Sequence, residues 1–343
     1  MAYISFQPND YFNTKLYTGN GSTNAITGVG FQPDWVWVKN RTDASTNHLV
    51  TDAVRGATKC LFPNLTNAEV TEANALQSFN SDGFTLGSDS SVNTNTKNWV
   101  SWNWRANGSG SSNTDGSITS TVSANTTSGF SIVTYTGTGA NATIGHGLGV
   151  APKMIIFKNR SSVKAWSVYH SSIGATKFLF LNDTGAETTY TPMFNDTEPT
   201  SSVFSVGTDL ATNVSSDNYV AYCFAEKKGF SKFGSYTGNS STDGTFVFCG
   251  FKPAFLIQKR SDTTSNWNLY DNKRSTAGGS NVIDDLFYVD ANNAEVSHTS
   301  VDFLSNGFKF RSSDGAINTG ANIFMAFSEE SIVSSNGIPA VAR

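Results

Sequence analysis

The chain has 343 residues, of which 38% are hydrophobic and 13% aromatic, enough to build buried cores and too much for wholesale disorder. Only 15% are charged, the net charge is −4, and the 23 Lys and Arg are scattered; without a basic footprint to neutralise phosphates, nucleic-acid binding is excluded. Ser, Thr and Asn number 44, 39 and 34, which with 30 Gly is the composition of short strands joined by polar turns, not of a helical bundle or an α/β enzyme.

In chain order, the aromatic segment Ala2 to Phe12 comes first and lacks the basic and apolar regions of a signal peptide, so export by that route is not expected. No apolar run approaches the roughly 18 residues of a membrane helix, so no membrane insertion is expected. From there a pattern recurs. Tyr-Thr-Gly begins at Tyr17, Tyr135 and Tyr236, at offsets of 118 and 101. A proline, an apolar run and a lysine follow each time: Pro33 to Lys39, Pro152 to Lys158 and Pro253 to Lys259, at offsets of 119 and 101. Gly-Ala-Thr-Lys appears at Gly56 and Gly174, and Phe84, Phe204 and Phe308 keep the register. Each unit closes on an aromatic strand: Asn98 to Trp104, Asn218 to Phe224, and Ala321 to Phe327.

These repeats predict an all-β chain of three tandem antiparallel β-sandwich (jelly-roll-like) units. The expected boundaries are an N-terminal docking segment 1–12, repeat 1 at 13–106, a linker at 107–128, repeat 2 at 129–228, repeat 3 at 229–330 and a tail at 331–343. The linker region, Ala106 to Ser128, is nearly all Asn, Gly, Ser, Thr and Asp and is expected to be flexible. Units two and three have no spacer and are expected to pack or lie rigidly end to end. Asn67 to Leu76 is the one helical candidate. In the closing strands, Val100, Trp102 and Trp104 share a core face with their equivalents. The opposite face, with Trp99, Tyr219 and Asn322, is expected to be exposed or at an interface.

Chemistry-bearing motifs are sparse. There is no nucleophile elbow, phosphate loop, His-Glu-x-x-His or calcium loop. Cys60, Cys223 and Cys249 form neither a disulfide framework nor a zinc motif, and fit folding in a reducing cytoplasm. His48, His146, His170 and His298 show no ligand spacing; His48 shares its repeat position with Trp166 and Trp267 and reads as a packing site. Gly139 to Gly149 reads as a turn connection because a strand, not a helix, follows. Asp284-Asp285 is an adjacent carboxylate pair with nothing to set it apart from loop acids. No catalytic residue, cofactor or metal is expected. Trp99, Trp166, Trp267, Tyr190 and Tyr270 are aromatics with polar neighbours that could stack on a sugar; Trp166 and Trp267 read as core, and Trp99 and Tyr190 remain as surface candidates.

The sequence Tyr-Thr-Gly, then Gly30-Phe31-Gln32-Pro33 or Gly250-Phe251-Lys252-Pro253, then Gly-Ala-Thr, then Tyr219 to Ala225, resembles a repeated β-rich domain of unknown function in structural proteins of tailed, especially marine, bacteriophages. The resemblance implies a non-enzymatic virion protein, assembled in the host bacterial cytoplasm, and a tail or surface fibre attaching to host-surface glycan. A capsid decoration or tail structural protein with no receptor role is the alternative, and a polysaccharide depolymerase is a third. Expected partners are other virion proteins and host cell-surface glycan, with a homo-oligomer, a trimer first, as the assembly. Tyr3, Phe6, Tyr11 and Phe12 are the residues expected to dock the chain onto the particle.

Overall fold

The strand Trp35–Asn40, Trp-Val-Trp-Val-Lys-Asn, is buried at every position, and a strand that is apolar on both faces needs cover on both sides. That requirement organises the molecule. The computed structural model describes residues 6–275 and 281–329, with the short strands Ile332–Val333 and Pro339–Ala340. The fold is almost all β, in antiparallel sheets with a sandwich-like arrangement.

The sheets fall into three consecutive stretches of chain. In the first, Phe12–Thr18 pairs with Asn98–Trp104, which pairs with Trp35–Asn40, followed by the strands Leu49–Asp52 and Gly56–Leu61. In the second, Phe130–Thr136, Asn218–Phe224, Met154–Asn159, Ser167–His170 and Lys177–Phe180 repeat this order. In the third, Ser231–Asn239, Thr319–Phe327, Phe255–Arg260, Trp267–Asp271 and Val282–Tyr288 do so again. We call these the inner sheets of sandwiches one, two and three.

One face of each inner sheet packs inside its own sandwich, as with Val36, Val38 and Trp99 against Ile26, Phe84 and Leu86 in the first. The other face enters a single central core shared by all three, where Trp104, Phe224 and Phe327, at the ends of the closing strands, meet. The sandwiches therefore sit side by side around a common interior; the second and third do not lie end to end. The closing strand is buried on both faces: Trp99, Tyr219 and Asn322 are 0%, 0% and 1% exposed.

Seams between the sandwiches close a ring. Trp166 of the second donates its indole N–H to Phe62 O of the first at 2.9 Å, and Trp267 of the third donates to Phe180 O of the second at 2.9 Å. His48 occupies the same place in the first; Trp37 donates to its Nδ1 at 3.0 Å, so its proton sits on Nε2 and is donated to Tyr288 O of the third at 3.1 Å. The lysines of the Pro-to-Lys runs act alike: Lys158 Nζ reaches Thr66 O at 3.0 Å, Lys259 Nζ reaches Thr184 O at 2.9 Å, and Lys39 Nζ reaches Asn292 O at 3.4 Å. Backbone bonds run beside them, from Glu69 N to Arg160 O, Glu187 N to Ser261 O and Glu295 N to Arg41 O.

Two local expectations change. The region 107–128 is not a flexible linker: Ser120–Asn125 pairs along its whole length with residues 130–135, and Ser111–Asn113 pairs with it in turn. Ile118 and Val122 are buried there, and Gly116 runs so close to the strand Ala142–Gly145 that a Cβ would lie 2.3 Å from Thr143 O. Two apolar anchors in a Thr-rich segment suffice to add an edge. Asn67 to Leu76 is not helical but extended at Val70–Thr71, because Glu69 is held across the seam by Arg160.

Trp166→Phe removes the indole donor to Phe62 O and Leu65 O and is expected to cost about 1–3 kcal/mol. Trp99→Phe removes an indole N–H that has no partner and should cost less by that margin, read from denaturant-unfolding midpoints.

Candidate functional site

Where the sequence places chemistry, the structure mostly places architecture. Trp99 is not a surface aromatic: it stacks on Tyr17 at 6.2 Å inside the first sandwich. Tyr190 is 43% exposed. Phe12 is not free to dock onto anything, since it lies fully buried against Trp104, Phe255 and Phe327. Phe6 stacks on Tyr11, and both abut Phe230, so these rings seal the central core from one side. Tyr3 lies outside the described residues. The cysteines are free and buried. Sequence reading missed two other exposed rings, Phe246 and Phe248, whose alternation about buried Val247 marks an outward-facing edge strand.

The densest ionisable clusters lie on the seams. Between sandwiches one and two, Asp52 and Arg55 form a fully buried pair; Arg55 Nη1 continues to Glu69 at 2.9 Å, Arg160 Nε reaches Glu69 at 2.8 Å, and Tyr222 donates to Asp52 at 2.8 Å. The arginines hold the Glu69 carboxyl below its ordinary value against the opposing effect of burial. Between three and one the same pattern uses Asp271, Arg274, Glu295 and Arg41, with the Trp102 indole donating to Asp271 at 2.9 Å. Between two and three the pattern is replaced: His170, Ile173, Ser261 and Met325 occupy four of the five equivalent positions. Glu187, the retained member, pairs with Lys177 at 2.5 Å, and His170 donates to Phe324 O at 3.1 Å. The space left is a cleft of about 370 Å³ bordered by Ile173, Lys177, Glu187 and Ser261.

A second cleft, of about 310 Å³, opens in the third sandwich and has the more convergent chemistry. Its lining includes Arg260, Asn266, Asn268, Tyr288, His298 and Asp314. The volume is at the lower end of the range for small-ligand sites, about 300–1,000 Å³. Asp314 Oδ2 faces His298 Nε2 at 3.6 Å, while His298 Nδ1 is buried without a partner among the described residues. Arg260 donates to Gly315 O at 2.8 Å and to Asp262 at 2.6 Å, which fixes its guanidinium at the rim. Burial raises Tyr288 above the ordinary phenol value. Of the sequence candidates, His298 and the buried Tyr270 border this cleft; the isolation of His298 from the other histidines gave no signal of a site.

These features define an all-β protein whose interlocked sandwiches carry polar clefts. The chain belongs to the family described as Domain of unknown function (DUF7483), whose model matches residues 7–331. No curated protein matches it.

Arg55→Met leaves Asp52 buried without its counter-ion and should cost about 3–5 kcal/mol. Ile173→Val, at the same position of the second sandwich, should cost under about 1.5 kcal/mol. His170 is pushed down to about 4 by burial. Its neutral form is therefore favoured in the folded state, so its contribution is full above about pH 6.5 and is lost as pH falls towards 4, up to about 3 kcal/mol. His170→Asn should flatten the unfolding midpoint across that window.

Proposed function

We propose that this protein is a non-enzymatic structural component of a bacteriophage particle that attaches to host-surface glycan. The virion assignment is supported by the resemblance of the Tyr-Thr-Gly, Gly-Phe-x-Pro and Tyr-Val-Ala-Tyr-Cys-Phe pattern to phage structural proteins. The binding role is supported by one observation above the others: a body held together by buried inter-sandwich bonds keeps an open polar cleft in its third sandwich. A rigid body that presents a preformed site loses little conformational freedom on binding, which is what an attachment module needs.

Partners under this reading are other virion proteins and a host cell-surface saccharide. Because the inner faces of all three sandwiches are covered within one chain, the single chain is the folding unit, and a trimer would be assembled from closed rings through other surfaces. Rings exposed on those surfaces include Tyr190, Phe246 and Phe248.

Two measurements test the proposal. Antibody labelling of purified particles should place the chain at a tail or surface fibre, and the purified chain should bind host cells in competition with the phage. Labelling of the capsid shell without host-cell binding would make it a decoration protein; absence from the particle would end the virion reading.

A further inference from the structure

Within the third sandwich, three buried positions are amides where the first sandwich is apolar or aromatic at all three and the second at two of them. Gln258 and Asn268 face each other across a strand pair, as Val38 and Leu49 do in the first sandwich and Phe157 and Ser167 in the second. Asn322 stands where Trp99 and Tyr219 stand, opposite Arg260 as they are opposite Asn40 and Asn159. The three amides are 0%, 2% and 1% exposed. They form a chain: Asn268 Nδ2 donates to Gln258 Oε1 at 2.9 Å, and Gln258 Nε2 donates to Asn322 Oδ1 at 2.7 Å and to Ala316 O. In the second sandwich Phe194, from the turn Thr191–Phe194, packs against Phe157 and Tyr169 at 5.5 and 5.9 Å. In the third, Asn268 and Tyr270 border the 310 Å³ cleft.

Buried amides are costly unless every polar atom is partnered. Here the chain ends at the cleft wall: the Asn268 carboxamide oxygen accepts no bond from the described residues, and His298 Nδ1 nearby also lacks a partner. We propose that this cleft is a saccharide-binding site, in which Asn268 and Asn266 amides, the Asp314 carboxylate and His298 take the hydroxyls of a neutral mono- or disaccharide unit. The charge argues against an acidic ligand, since Arg260 is already held by Asp262 and Asp314 adds a carboxylate to the lining. The lining argues against an apolar one. Pairs of amide and carboxylate groups match vicinal hydroxyls, each of which donates and accepts. Tyr288 adds an aromatic ring to the wall, of the kind that contacts sugar C–H groups.

The inference deepens the attachment reading and rests on it only for the biological source of the saccharide. The test uses the whole purified chain on a printed array of neutral, acidic and sulfated oligosaccharides, followed by titration of the hits. Expected are hits among neutral hexose and N-acetylhexosamine oligosaccharides, weakened at least tenfold by Asn268→Leu, which restores the residue of the first sandwich, and by Asn266→Ala at the rim, and unchanged by Tyr190→Ala. Far-UV spectra and melting temperature check that each variant is folded; if Asn268→Leu is not, Asn266→Ala decides. Hits that are acidic only, or that survive the decisive variant, overturn the site. Host-cell binding by a chain with no array hits would overturn the saccharide site while leaving attachment standing, and neither kind of binding would overturn both.

Discussion

Everything in this molecule depends on the inner sheets being apolar on both faces. A sandwich isolated with its inner sheet uncovered would present Trp35, Trp37, Trp102 and Trp104, or their equivalents, to water, an apolar surface of the kind that drives association. Covering that face with the other two sandwiches removes it from solvent and makes the three mutually dependent. It also explains the composition. With one sheet face in each sandwich core and the other in the shared one, much of each closing strand has no solvent-facing side, so charge is confined to turns and seams. The 15% charged fraction is a consequence of geometry rather than of a special environment.

A shared core creates a polar problem at its edges. Where the loop of one sandwich meets the strand of the next, carbonyls such as Phe62 O, Phe180 O and Tyr288 O are cut off from water, and each is answered by a ring N–H from the neighbour. The same side-chain position performs this three times with two different residue types, Trp and His, because the requirement is one donor on a flat ring. The lysines serve the same end with an ammonium whose acceptors are mostly backbone oxygens, and burial pulls Lys158 down to about 7 and Lys39 and Lys259 to about 8. The Asp–Arg–Glu–Arg clusters are a different device. Fully buried ion pairs add little net stability over apolar packing, but they penalise a wrong partner heavily. Two seams carry them and the third does not, so the seam between the second and third sandwiches is chemically distinct from the other two.

Much of this was legible in the sequence. The repeat register of Tyr17, Tyr135 and Tyr236 and of the Pro-to-Lys runs marked corresponding strand segments in the three stretches, and the equivalence of His48 with Trp166 and Trp267 marked a packing position. What sequence periodicity could not supply was the second partner. A period of two says that Val100, Trp102 and Trp104 share a face; it does not say whether the opposite face, with Trp99, meets water or a second layer. The error over Trp99 follows directly; of the two arrangements expected for the second and third units, packing together and lying end to end, the structure has the first. The region 107–128 was misread for a related reason: its composition is that of a linker, and only the spacing of Ile118 and Val122 hints at an edge strand. The cleft was hidden because its signal is a substitution within a repeat, Gln258 and Asn268 for Val38 and Leu49, and such a difference has meaning only once the strand pairing fixes which positions correspond.

The third sandwich is where departures from the common pattern concentrate. It contributes Ser261 and Met325 to the seam that lacks the ionic cluster, and it places the linked amides Gln258, Asn268 and Asn322 where the first sandwich has Val38, Leu49 and Trp99. These two departures lie on opposite faces of one inner sheet. An amide chain in a free-standing sandwich would weaken the only core holding the sheet together. Here Phe255, Ile257, Ile323, Met325 and Phe327 anchor the sheet from its other face in the shared interior. Stability is supplied on one face, which leaves the opposite face free to diverge towards polar chemistry. Sharing a core among three sandwiches is therefore more than a way of covering apolar strands: it separates the part of the third sandwich that holds the fold from the part that can be shaped to a ligand.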